Sequence, residues 1–450
     1  MFCLPLLRPL RHPGQASLDE KLRLATISAL VEHRATLDAS LSGRLAIDTD
    51  SFPIRSHVIS VRSQIFSDQP PMLAFLLSGP YWILHGVGYR LQDYSVLVPY
   101  LLTLLGVTLP AAGAAGLVYR MGRIFELRRE LRAGLAAAVV FGTGLISYSV
   151  VLNAHVPAAV LVLAAAGCLV HLAASDTPSR GGGWLVLAGF CAALAATIDL
   201  SAVIFLPLLA IVVPAMRLRL ALRIGGVILY LLGAAPPILL HATLTSNLTG
   251  NLLPGSFHPE LAVRHLHPFP DEAEAPLDAL SQASENPQMP DIGEDADRPA
   301  PAGPWQNFWR GAGGITQALL GEHGILVHFP VVVLGFAGMF AVMHRHWPTT
   351  TKILAADSAI AALAALVVVA FSRYGLATAA FGNQWLVIFL PILFFWTGAW
   401  LRRPHHPAIW TTAAVLLIFS ILVSLVGATD PMPPGGYDRY TPLAAFRNLF

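Results

Sequence analysis

Apolar runs recur along this chain at lengths suited to crossing roughly 30 Å of hydrocarbon, which takes about 20 helical residues. They predict spans over Val96–Tyr119, Ala133–Val150, His155–Ala173, Trp184–Ile198, Leu200–Ala215, Ile224–Ala242, Ile325–His344, Ile353–Phe371, Gln384–Leu401 and Ile409–Gly427. Asp199 interrupts the uncharged stretch from Gly181 to Met216 and divides it into two short helices. Met72–Val87 is apolar too, but its flanks read as a helix lying at the membrane interface; the alternative is a further span. The resulting fold class is all-α: a polytopic membrane bundle of about 10–11 spans, with an external N-terminal segment. That segment is too polar for lipid and too apolar for a free tail. Its Leu22, Leu24, Ile27, Leu30 and Val31 fall at spacings that suit an amphipathic helix along a surface.

Charge orients the spans. Arg120, Arg123, Arg128, Arg129 and Arg132 crowd one connection, and Arg217, Arg219 and Arg223 fill a second. His344, Arg345, His346 and Lys352 mark a third, and Arg402 and Arg403 a fourth. The positive-inside rule places these alternate loops in the cytoplasm. Asn153–His155, Asp199, Thr243–Gly324 and Arg373–Asn383 then face outside. The longest loop agrees, with ten Asp or Glu against two Arg between Gly255 and Pro304. Its Pro, Ala and acid content with almost no aromatics reads as partly disordered. The expected divisions are an external segment over 1–94, an N-terminal bundle over 95–242, the acidic loop over 243–324, a C-terminal bundle over 325–427 and an external tail over 428–450. This orientation puts 1–95 outside with no earlier span to carry it, and MFCLPLLRPL reads as the remnant of a first helix.

Composition sharpens the class. The chain is 55% hydrophobic and 12% charged, with mean hydropathy +0.63, whereas a soluble domain is roughly 25% charged. Cys3, Cys168 and Cys191 form no CxxC or His/Cys pattern, so neither a disulfide frame nor a zinc cage is indicated.

The polar residues that could carry chemistry gather in the predicted external parts. Asp19, Glu20 and Arg23 form one cluster; Ser67-Asp68-Gln69-Pro70-Pro71 forms a second, running straight into Met72. Ser17 can cap a helix whose first turn holds the two acids, which also holds a carboxylate rigidly. The double proline sets the start of a helix and keeps the residue before it extended, which aims Asp68 and Gln69 under the external loops. Asn153 and His155 sit in a very short connection, where capping is the simpler role. Asp199 is an ionisable group at a helix break and faces a cavity or a partner, or simply caps the stretch from Leu200 onward. His323 closes the long loop, and Arg373 and Tyr374 open another. Arg offers a forked donor and Tyr a stacking face to an anionic headgroup, unless both are interfacial anchors. Asp357 is read as reaching the interface, with no role.

In this order the motifs resemble the GT-C superfamily of membrane glycosyltransferases, and within it the bacterial family 39-like enzymes related to protein mannosyltransferases and to the aminoarabinose transferase of lipid A. The residues concerned are Ser17-Leu-Asp19-Glu20-Lys-Leu-Arg23, Ile65-Phe-Ser67-Asp68-Gln69-Pro70-Pro71 and Gly79-Pro80-Tyr81-Trp82. Val150-Val-Leu-Asn153-Ala-His155 and Gly321-Glu-His323-Gly324 are similar to motifs of a multi-pass branch. Gln69 stands where those enzymes usually carry lysine, and only Asn153 and His155 occupy the turn where many place a second acid.

The resemblance implies transfer of a hexosyl or pentosyl unit from a polyprenyl-phosphate donor at the exoplasmic face of a bacterial inner membrane, by single displacement. Asp19 would be the catalytic base. Glu20, Arg23, Asp68, Gln69, Asn153, His155, Asp199, His323, Arg373 and Tyr374 would bind substrate. No residue is assigned to a metal, although a divalent cation is compatible. A monomer among membrane lipids is expected, with no nucleic-acid partner. Two other classes compete. A lipid-intermediate transporter would show internal repeats and polar residues at mid-membrane, and neither is seen here. A non-catalytic relative would tolerate Gln69.

Overall fold

The computed structural model describes residues 17–32, 58–61, 64–91, 93, 96–173, 181–216, 220–252, 255, 304–371, 381–429 and 431–432. The chain enters through α1 (Leu18–Glu32), and an antiparallel hairpin comes next, β1 (Val58–Val61) on β2 (Gln64–Ser67), with Val58 opposite Ser67 and Val61 opposite Gln64. The hairpin is absent from the sequence-based expectations, because four-residue strands leave too little alternation to stand out. Pro70 and Pro71 then start α2 (Met72–Gly86), whose first-turn bond runs from Phe75 N to Pro71 O at 2.8 Å.

At 15 residues, α2 is about 22 Å long and too short to cross a bilayer. Met72, Leu73, Leu77 and Tyr81 face the protein, while Trp82, Ile83 and Val87 are exposed. It suits the interface. By contrast, α1 is walled in: Leu22, Leu24, Ala25, Ile27 and Ala29 are all buried. The apolar pattern read as a surface face therefore wraps most of the helix, and α1 packs against α2 instead of lying free along lipid.

The bundle proper begins with α3 (Leu97–Phe125), 29 residues long, followed by α4 (Arg129–Gly142) and the single turn α5 (Leu145–Tyr148). Within α3 the turn Leu104–Thr108 widens to π geometry just before Pro110, which supplies no N–H to the ladder. Then come α6 (His155–Ala173), α7 (Gly182–Ile198), a 3₁₀ turn over Leu200–Ile204, α8 (Phe205–Ala215) and α9 (Leu220–Thr249). The C-terminal half holds α10 (Pro304–Leu320), α11 (Ile325–His328), α12 (Val332–Met343), α13 (Thr349–Phe371), α14 (Leu390–Phe395), α15 (Thr397–Leu401) and α16 (Pro407–Gly427).

Among the described residues five helices are long and apolar enough to cross a membrane, namely α3, α6, α9, α13 and α16. The segment Ala312–His328 and α12 would make a sixth, bent by 94° at the break before Val332. There Pro330 interrupts the helix, and Val331 N finds Ser420 Oγ on α16 at 3.2 Å. Helices α7, α8 and the α14–α15 stretch are apolar but shorter, as expected around Asp199. All ten predicted spans therefore correspond to helical segments, although several are broken or short.

Small residues let these helices touch backbone to backbone, the contact available where lipid removes the hydrophobic drive between apolar helices. A Cβ on Gly189 of α7 would lie 1.9 Å from Tyr230 O of α9, and one on Gly233 of α9 would lie 2.0 Å from Val186 O of α7. The same device seats α12, where a Cβ on Gly335 would meet Leu393 O at 2.2 Å and one on Gly338 would meet Trp396 O at 1.9 Å.

The seam yields a matched pair of outcomes. Gly189→Ala forces α7 and α9 apart and costs about 1–3 kcal/mol, the usual range for overpacking. Gly183→Ala, on the same helix but with nothing within 4 Å of the added carbon, leaves stability unchanged or slightly raised. Unfolding of the two purified variants in detergent checks this, and equal behaviour would remove the close contact as a determinant.

Candidate functional site

The polar residues of the N-terminal segment meet the turns before α6 and after α7. Ser17 Oγ accepts from Glu20 N at 3.3 Å, a cap that holds the first turn of α1 and its two acids in place. The cap foreseen at Ser17 is therefore present. From it Glu20 reaches across the fold, its Oε1 accepting from Leu152 N at 3.3 Å. Asp19 turns to the second cluster, and its Oδ1 accepts from Gln69 Nε2 at 2.8 Å. Gln69 is itself fixed by Ser67, whose hydroxyl accepts from Gln69 N at 3.2 Å.

At the centre of this group is Arg23, 8% exposed. Burial pulls its pKa down from the usual arginine value, while the charges of Asp19, Asp199 and Asp68 each push it back up. Three carboxylates from three separate parts of the chain thus lie near enough to act on the charge of one guanidinium. Gly255, beyond α9, closes over the hairpin side: a Cβ there would lie 2.6 Å from Ile59 Cδ1 and 3.2 Å from Asp68 Cα.

Asp199 is joined to α6 through His155, with Nδ1 2.5 Å from Asp199 Oδ2 and both side chains buried. The other carboxylate oxygen accepts from Ser201 N at 2.9 Å and caps the 3₁₀ turn. Capping and pairing, two readings left open by the sequence, are therefore both present. Burial would raise the Asp199 pKa, but the His155 ring and the Ser201 bonds bring it below the usual carboxylate value. Asn153 acts locally, with Oδ1 accepting from Val156 N at 3.0 Å and Nδ2 donating to Tyr148 O at 2.6 Å and Val151 O at 2.9 Å. It shapes the tight turn that presents His155.

His323 belongs with another group, close enough to His328 to act on its charge. His328 in turn meets Phe381 edge-on at 5.0 Å. Arg373 and Tyr374 lie outside the described residues. Asp357 is buried in α13, beside Ser358, whose hydroxyl accepts from Trp396 Nε1 at 3.0 Å.

Trp385, Asn383 and Glu32 were missed by sequence reasoning. Trp385 meets the His155 ring edge-on at 5.5 Å. It is set by Asn383, whose Oδ1 accepts from Trp385 N at 3.2 Å. An Asn followed two residues later by Trp at a loop end was the available signal. Glu32 and Tyr81, which hydrogen-bond each other, tie the end of α1 to α2, and the Tyr81 hydroxyl accepts from Leu91 N at 3.0 Å.

Several buried polar atoms around this site have no hydrogen-bond partner: Arg23 Nε, Gln69 Oε1, Gln384 Oε1 and Trp385 Nε1. Each such atom ordinarily costs about 1–3 kcal/mol. Their gathering leaves donors and acceptors for a polar ligand. Among the described residues no group of three or more His, Cys, Asp or Glu is arranged as a cation cage. The acids are spread around Arg23, so a resident divalent cation does not fit the donor set as arranged.

Replacing Asp199 by Leu strands His155 and costs about 3–5 kcal/mol, as for other broken buried pairs. Asp199→Asn costs less, because Asn still accepts the Ser201 N–H as a cap. Chemical unfolding of both variants in micelles measures the difference, and identical losses would show that the cap contributes nothing.

No protein-family model matches the chain, and no curated protein sequence matches it. Solved structures do. The oligosaccharyltransferase of Archaeoglobus fulgidus in its apo form superposes with TM-score 0.50 over 96% of this chain and 55% of its own, at 13% identity. The archaeal oligosaccharyltransferase AglB from Archaeoglobus fulgidus, in complex with an inhibitory peptide and a dolichol-phosphate, gives TM-score 0.50 with the same coverage at 12% identity. The chain spans about half the length of these proteins. At such identities the likeness establishes a shared architecture with the matched half of these proteins.

Proposed function

We propose that the chain is a membrane glycosyltransferase that takes a sugar from a polyprenyl-phosphate donor and works at the exoplasmic rim of a cell membrane. The observation that carries this reading is the meeting of Asp19, Asp68 and Asp199 around Arg23, on a bundle that shares the architecture of the matched half of an oligosaccharyltransferase. The motif likeness to bacterial family 39-like enzymes supports a divergent branch of the GT-C superfamily. A long isoprenoid favours lipid, which leaves the sugar-phosphate at the interface where the interfacial helix α2 and its neighbour α1 lie.

In this scheme the acceptor hydroxyl attacks the anomeric carbon as Asp19 takes its proton. The bond from that carbon to the phosphate oxygen breaks, and the polyprenyl phosphate leaves with the electron pair. Arg23 is the cation placed to stabilise that charge, with His155 as a further donor held by Asp199. One displacement inverts the anomeric centre. The side chain of Gln69 holds Asp19 in place and leaves as the acceptor hydroxyl arrives.

A second reading has its own support. Gln69 already occupies Asp19 Oδ1 at 2.8 Å, which is what a non-catalytic relative would show.

Asp19→Asn separates the two. Loss of a general base lowers transfer by about 10²–10⁴-fold, while the Gln69 contact and the fold persist. The readout is the glycolipid and glycan profile of cells carrying the full-length variant in place of the parent chain. An unchanged profile, with the variant at normal abundance, would withdraw the catalytic assignment.

A further inference from the structure

At the end of α6 away from His155 lies a cavity of about 330 Å³ that the carboxylate cluster does not share. That volume falls in the roughly 300–1,000 Å³ range of small-molecule sites. Its inner wall is apolar, built from Leu169 and Val170 of α6, Val212 of α8 and Leu354 of α13. Its rim is polar, with Glu126, His346 and Arg402 around the opening and Trp347 between them. Apolar depth under a charged mouth suits an amphiphile, not a free ion.

The rim carries both signs of charge. Arg402 and Glu126 form an ion pair while remaining 45% and 70% exposed. The Arg402 guanidinium also lies over the Trp347 ring, 5.2 Å from its centroid. Glu126 adopts φ 55°, the single described non-glycine residue with a left-handed backbone. An L side chain rarely takes that conformation, and here it comes with a carboxylate held against Arg402. So exposed a pair adds little to stability, and opening it for a ligand is easy. The opened rim presents a forked cation for a phosphate and a carboxylate for an ammonium group. Arg120, Arg123, Arg128 and Arg129 flank Glu126 in sequence and Arg403 follows Arg402, a concentration of cations that suits headgroup level.

We propose that this cavity binds a zwitterionic phospholipid: phosphate on Arg402, ammonium on Glu126, and the first methylenes of an acyl chain against Leu169, Val170, Val212 and Leu354. A purely anionic lipid would satisfy Arg402 and leave Glu126 facing like charge. Selection between headgroups therefore falls to Glu126, and retention to Arg402 together with the apolar wall. Basic pockets between helices at a membrane surface are a known setting for headgroups, and the acid on this rim changes which one fits.

The test uses the full chain reconstituted in vesicles of equal phosphatidylethanolamine and phosphatidylglycerol, extracted gently and weighed with its bound lipid by native mass spectrometry. The parent chain retains phosphatidylethanolamine in about tenfold preference, the scale of one charge-assisted contact. Glu126→Gln brings that preference close to parity. Arg402→Gln loses both lipids, and Val170→Trp loses both by filling the cavity while the ion pair stays intact. Thermal unfolding confirms that each variant is folded; where Arg402→Gln is not, Val170→Trp and Glu126→Gln decide. Equal retention of the two lipids by the parent, or retention unaffected by Glu126→Gln and Val170→Trp, overturns the proposal. So does displacement of the lipid by soluble phosphoethanolamine at matched concentration, which would reassign the site to a water-soluble phosphomonoester.

Discussion

A guanidinium taken out of water costs several kcal/mol unless opposite charge accompanies it. Arg23 is such a group, and meeting its demand draws distant parts of the chain together. Asp19 comes from its own helix, Asp68 from the end of the hairpin and Asp199 from the break between α7 and α8. Remove the arginine and three acids confront one another in a poorly solvated place; remove the acids and the arginine is stranded. The N-terminal segment is therefore coupled electrostatically to the bundle as well as packed on it. Glu20 adds to this by accepting from the backbone of Leu152 just ahead of α6.

Around that centre the polar residues divide the work. Ser17, Asn153 and Asn383 are caps and turn-formers, each bonded to backbone N–H groups within three residues. Their value lies in where they put Glu20, His155 and Trp385. Asp199 does both jobs at once, one oxygen for the turn and one for the ring of His155. A site assembled on helix ends in this way is stiff, because every member is held by the element that presents it. The atoms left without partners, Arg23 Nε and Trp385 Nε1 among them, are the ones the frame does not use.

Much of this was legible in the chain. Long apolar runs located the helical segments, and Asp199 disclosed the break in 181–216. Charged residues are rare enough in such a chain that Asp19, Arg23, Asp68 and Asp199 each stood out. Their convergence was not written in any local spacing. It depends on which helix ends share one face of the bundle, and that is set by contacts such as Gly189 on Tyr230, which periodicity does not encode. The hairpin was too short to show a pattern. Trp385 looked like one more aromatic at a loop end, and the burial of Asp357 goes with contacts from parts far from it in sequence, such as Trp396 on the neighbouring Ser358. The walled-in state of α1 was hidden for the same reason: its buried positions look amphipathic until the second wall is known.

The reciprocal glycine seam carries a consequence for traffic within the bilayer. Two helices whose backbones touch leave no crevice between them at that level, so no acyl tail can wedge between α7 and α9 where Gly189 and Gly233 meet the opposite backbone. Two hydrogen atoms standing in for side chains keep that door shut.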